Sequence, residues 1–174
     1  MKHKLYTLAL FLITASVLSS CESDLEFGSD YVKSYRTWLN FKESSGNAYA
    51  YTVSGSSWVG LAWETTLTIS NGKVLQREFR FTQIADYPIA DEDQEWIETG
   101  TELGTHEATP AAAAVTLDEV YQKAKNNWLQ TRSGTRTYFE TENDGMISLC
   151  GYVPKGCADD CFTGIRIARI EMLP

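Results

Sequence analysis

The chain has 174 residues, 43% of them hydrophobic, with a formal net charge of −8. That length supports one domain with a real core. The acidic balance excludes a nucleic-acid binder, which must neutralise phosphates with Lys and Arg, and it disfavours lying flat on anionic lipid.

Lys2, His3 and Lys4 give a basic start, and the uncharged run Leu5 to Ser20 follows. This charged, then apolar, then small order predicts a secretory signal peptide over residues 1–20. The run falls short of the ~20 predominantly apolar residues of a membrane span, and Thr14, Ser16, Ser19 and Ser20 dilute its second half. Leu18-Ser19-Ser20-Cys21 resembles the bacterial lipobox. The resemblance implies cleavage before Cys21, a diacylglycerol on its sulfur and acylation of the new amino terminus. Each buried CH₂ contributes about 0.8 kcal/mol, and several chains on one residue hold where a single chain is marginal. The expected partner is therefore the lipid bilayer, reached through acyl chains on Cys21.

Residues 21–28 read as a lipidated tether. Glu22, Ser23, Asp24 and Glu26 in it resemble an acidic export signal for outer-membrane lipoproteins, which makes the outer membrane the expected address. With residues 1–20 removed, 13 Lys and Arg face 23 Asp and Glu, a net charge of about −10.

Residues 29–174 read as a single α+β domain. Ser29 is placed to cap a helix over 30–43, whose Tyr31, Tyr35, Trp38 and Leu39 share one face. Tyr49, Tyr51 and Val53 alternate as a strand. Residues 61–70 and 73–82 flank Asn71-Gly72, the dipeptide of a two-residue type I′ hairpin. Phe79 and Phe81 fall out of phase with Val74, which calls for a bulge near Gln76-Arg77. Over 83–115 the pattern dissolves into a long acidic loop. Thr116 and Glu119 then form a capping box, with Val115 and Val120 as its hydrophobic staple. The helix they open has Leu117, Val120, Tyr121, Ala124 and Trp128 on one face. A second hairpin turns at Glu142-Asn143-Asp144-Gly145, and 164–172 is a last strand with Ile170 one residue out of phase with Ile165 and Ile167. The predicted architecture is an antiparallel sheet with two helices packed on one face, divisible into two helix-plus-three-strand halves. This order resembles tandem β-lactamase-inhibitor-like or PepSY-like modules in layout alone. Thr116-Leu117-Asp118-Glu119, and Asn143-Asp144-Gly145 before Cys150-Gly151-Tyr152, resemble domains of unknown function in bacterial lipoproteins. Neither resemblance carries an activity.

Candidate chemistry is sparse. Cys150, Cys157 and Cys161 lie beyond the lipidated cysteine, and an oxidising compartment favours one pair with one thiol left over. The expected bridge joins Cys150 to Cys157 or Cys161. The zinc alternative, these thiols with Asp159 or Asp160, matches no common ligand spacing. Asp91, Asp93, Glu95 and Glu102 stand at positions 1, 3, 5 and 12 of a calcium loop, but Trp96 occupies the glycine position. His106 is read as a surface residue, and Gly55-Ser56-Ser57-Trp58-Val59 lacks the second glycine of a nucleophile elbow. Trp58, Trp63 and Trp96 serve either as core or as stacking platforms. No phosphate-cradling glycine loop is present, so no cofactor is expected. The reading is a non-catalytic envelope module with a protein or glycan partner. The alternative is an envelope hydrolase using carboxylates or calcium on glycan or peptide.

Overall fold

The computed structural model describes residues 25–174 apart from 86 and 107. The signal peptide and Cys21 lie outside the described residues. The first helix, α1 (Gly28–Ser44), starts two residues earlier than a Ser29 cap would set it. Its cap is Phe27, in the left-handed region and with no side-chain cap bond. Tyr31, Ser34 and Trp38 form its buried stripe, while Leu39 lies just outside it and is 41% exposed.

Strands β1 (Tyr49–Ser56), β2 (Ala62–Ser70) and β3 (Lys73–Gln83) follow as a meander. Asn71 and Gly72 both take positive φ, 50° and 71°, as the tight turn between β2 and β3 requires. The expected bulge is present one position earlier than predicted. Ile69 pairs with Val74 and Thr68 with Gln76, leaving Leu75 as the extra residue. That insertion returns Phe79 to the face of Val74 and Leu67.

The long acidic loop is a correction. It contains a one-turn helix, α2 (Asp91–Gln94), and a strand, β4 (Glu95–Thr99), which pairs with β3. The strand buries Trp96 and Glu98 and leaves Ile97 58% exposed. An inward carboxylate and an outward isoleucine invert the usual alternation.

Helix α3 (Leu117–Lys123) carries the predicted capping box, with Thr116 accepting from the Glu119 N–H and Glu119 accepting from the Thr116 N–H. It runs into a π-turn, Ala124–Trp128, closed by the Leu129 N–H on the Ala124 carbonyl at 2.9 Å. The wider turn lets Ala124, Trp128 and Leu129 all reach the core. Strands β5 (Thr135–Glu140), β6 (Leu149–Pro154) and β7 (Thr163–Met172) complete a seven-stranded antiparallel open sheet of order β4-β3-β2-β1-β7-β6-β5. The two halves therefore share one sheet, joined where β1 meets β7.

Helices α1 and α3 cover one face. Tyr121 holds them together: its hydroxyl shares a 2.8 Å hydrogen bond with Ser34 Oγ and accepts the Ile147 N–H. Trp38 Nε1 and Lys42 Nζ both donate to the Asp118 carboxylate, at 3.0 and 2.6 Å. The opposite face carries Glu78, Arg80, Arg169 and Glu171, all exposed. Among the described residues no helix is long and apolar enough to cross a membrane.

Candidate functional site: a cleft where the sheet divides

The ladder between β1 and β7 begins at Tyr49↔Met172 and stops at Val53↔Ile167. Thr52 pairs with Arg169 and Val53 with Ile167, so Ala168 is an extra residue in β7. This bulge accounts for the phase of Ile170, which pairs with Tyr51 on the helix side although it is offset from Ile165 and Ile167. Bulges bend a strand and end pairing. Beyond it β1 stays with β2 to Ser56, and β7 stays with β6 back to Thr163. The two strands go on, but not together.

A cleft of about 770 Å³ occupies this division, inside the range of ~300–1,000 Å³ usual for ligand sites. Residues 53–57 form one wall, and the loop from Cys157 with the start of β7 forms the other. Val120, Lys123 and Trp128 of the α3 segment, with Pro110 to Val115, close it on the helix side. Two aromatics are seated by glycines. Trp63 lies against Gly55, its cross-strand partner, where a Cβ would collide with the indole. Phe162 lies over the Gly151–Gly164 pair in the same way, with the Arg166 guanidinium 4.8 Å from its ring centre. Lys123 stands 5.3 Å over the Trp128 ring. The Ser57 hydroxyl, on the cleft wall, is shielded from solvent and has no hydrogen-bond partner among the described residues.

The loop that closes the cleft is held by a buried carboxylate. Glu98 accepts from Arg77 Nη1 at 2.9 Å, from the Gly104 and His106 N–H groups at 2.7 Å each, and lies 2.9 Å from His106 Nδ1. Burial pushes its carboxyl pKa up, but the hydrogen bonds from His106, Gly104 and Arg77 outweigh burial and hold it at about 2. Arg77 turns its Nε to the Ala112 carbonyl at 2.7 Å, and the Ala112 N–H donates to Thr65 Oγ1 at 3.0 Å. His106 stacks on Trp96 with ring centres 4.4 Å apart, and Arg77 lies over the same indole at 4.8 Å. His106 is thus a half-buried latch rather than a free surface residue, and it stands outside the cleft.

No model of a known protein family, no curated protein and no solved structure matches the chain. The site rests on its own geometry. Cys157 and Cys161 lie beside each other, Cα atoms 6.3 Å apart, in the cleft-lining loop. Cys150 is free and buried, which corrects the expected bridge to it. Its side chain points into the helix-side core from β6, away from the exposed loop, and burial pushes its thiol up to about 12. The calcium pattern does not form a loop. Asp91 and Asp93 lie in α2, Glu95 opens β4, and Glu102 sits in the 3₁₀ turn beyond the strand. Among the described residues no three His, Cys, Asp or Glu side chains gather closely enough to hold a metal ion. Trp96 is core, Trp58 is 76% exposed, and Trp63 lines the cleft. Sequence reasoning missed β4, the Glu98 latch and the cleft. Its one signal for the cleft was the phase break at Ile170.

Proposed function

We propose that this protein is a lipid-anchored cell-envelope module that binds a ligand in the cleft between β1 and β7 without transforming it. The observation that carries the reading is the cleft itself, which has a secondary-structure origin and two glycine-seated aromatics. The lipobox-like Leu18-Ser19-Ser20-Cys21 supports the address, with the outer membrane as the expected location. The acidic body and the paired loop cysteines agree with an extracytoplasmic setting.

A photo-crosslinking phenylalanine derivative at Phe162 tests this in intact envelopes. The expected result is a discrete envelope adduct at Phe162 and none with the same probe at Glu78, on the opposite sheet face. Equal labelling at both positions, or none at Phe162, would contradict the reading. Turnover of a glycan or peptide that disappears in Asp159→Asn or Asp160→Asn would mark a hydrolase instead.

A further inference from the structure

We infer that the free edge of β5 is a docking strand for a second copy of this chain, which pairs with it antiparallel about Tyr138 and joins the two sheets; this interface is independent of the cleft. β5 ends the sheet, with β6 on one side and no strand of the described residues on the other. The direction of its backbone groups follows from two bonds. The Lys155 N–H donates to Gly134 O at 2.7 Å, and the Ser148 N–H donates to Glu140 O at 2.9 Å, both from the β6 side. Successive residues of a strand turn their N–H and C=O to alternate sides. Gly134, Arg136, Tyr138 and Glu140 therefore address β6, while Thr137 and Phe139 address the open side. Among the described residues no group hydrogen-bonds to the N–H or C=O of Thr137 or Phe139 on that side.

Side-chain direction picks the occupant. Thr137 is buried and Phe139 packs on the core, so Arg136, Tyr138 and Glu140 lie on the helix-free face. Arg136 and Glu140 are exposed, and neither makes an ion pair among the described residues. Antiparallel strands set residues of the same face directly opposite each other. A two-fold axis at Tyr138 places Arg136 of each copy against Glu140 of the other. The same register sets Thr137 opposite Phe139, so the residues with open backbone groups exchange both their N–H···O bonds. With Thr137 on the axis instead, Arg136 would face Tyr138 and Glu140 would have no cation. The main-chain bonds supply the affinity, and the exposed ion pairs, weak singly, fix the register. Sheet edges that avoid pairing carry Lys, Pro or a bulge. Thr135–Glu140 has neither Lys nor Pro, and the irregularity at Ser148 lies on the β6 side. The other edge, β4, holds Glu95 and Glu98 and no cation, and offers a second copy no such match.

Sedimentation equilibrium of the full chain tests this, in density-matched detergent with micelles in excess, from about 1 μM to about 1 mM, the span in which a small interface assembles. The expected result is a monomer–dimer equilibrium. Arg136→Glu sets like charges opposite each other on both sides of the axis and should weaken dimerisation about tenfold. Glu140→Arg should do the same, and the double variant Arg136→Glu/Glu140→Arg should return to the parent value. Hydrogen exchange at the Thr137 and Phe139 amides should slow as the parent dimerises, while Tyr138, already turned to β6, stays unchanged. Where a single variant fails to fold, exchange on the parent protein decides. A chain that stays monomeric over that range would overturn the inference. So would a double variant as weak as the singles, or dimers that leave the Thr137 and Phe139 amides unprotected. Loss of crosslinking at Phe162 would remove the cleft reading and leave this interface standing.

Discussion

Glu98 decides more than any other single side chain among the described residues. It has no solvent exposure, and it ties strand β4, Arg77 of β3 and the backbone of Gly104 and His106 into one cluster. Removing one partner of a buried ion pair leaves the other uncompensated, so Glu98→Ala should cost about 3–5 kcal/mol in denaturant unfolding. The pH dependence has a fixed sign. The folded carboxyl is held at about 2, below its ordinary 4.5. Its contribution is therefore complete above about pH 4.5 and lost as pH falls toward 2. Unfolding followed across that window should show the loss in the parent and a flatter profile in Glu98→Ala. Cys150 makes the opposite case of a buried titratable group. Its thiol, fully buried and raised to about 12, should resist iodoacetamide in the folded protein and react once it is unfolded. Labelling at the same rate in both states would place Cys150 elsewhere.

At the scale of elements, capping chemistry and phase breaks were legible in the sequence, and polarity inversions were not. Thr116 and Glu119 announce the start of α3, and the structure has both bonds of the box. Thr116→Ala should cost about 1 kcal/mol, read from thermal unfolding. The bulge between β2 and β3 was visible because Phe79 and Phe81 fall out of step with Val74. Its residue, Leu75, is 51% exposed, so Leu75→Ala should change stability by no more than about 0.5 kcal/mol. Deleting Leu75 should likewise leave unfolding cooperative, because Val74 would then adjoin Gln76 in a regular ladder that keeps Arg77 opposite Leu67 and Phe79 opposite Thr65. Strand β4 was not legible, for a physical reason. Trp96 and Glu98 face inward and Ile97 outward, and it takes the Arg77 guanidinium, distant in sequence, together with the Gly104 and His106 N–H groups to make a buried glutamate tolerable there. The cleft was illegible for the same kind of cause. Ile170 signalled a bulge, but nothing local says that β1 and β7, at opposite ends of the domain, are neighbours.

The described residues form one antiparallel sheet with α1 and α3 on one side, and its two halves meet at the strand pair that parts to make the cleft. The latch and the cleft are linked through Arg77, because the chain it holds at Ala112 lines the cleft. Loss of Glu98 should therefore loosen ligand capture as well as the fold. The reading as an envelope module joins this body to a membrane through Cys21, and compartment, loop disulfide and partner class all depend on that attachment. Intact mass spectrometry of the protein extracted from envelopes tests it most directly. The account predicts a chain that begins at Cys21 and carries a diacylglycerol and an amide-linked acyl chain. A mass equal to the bare chain, still beginning at Met1, would contradict it.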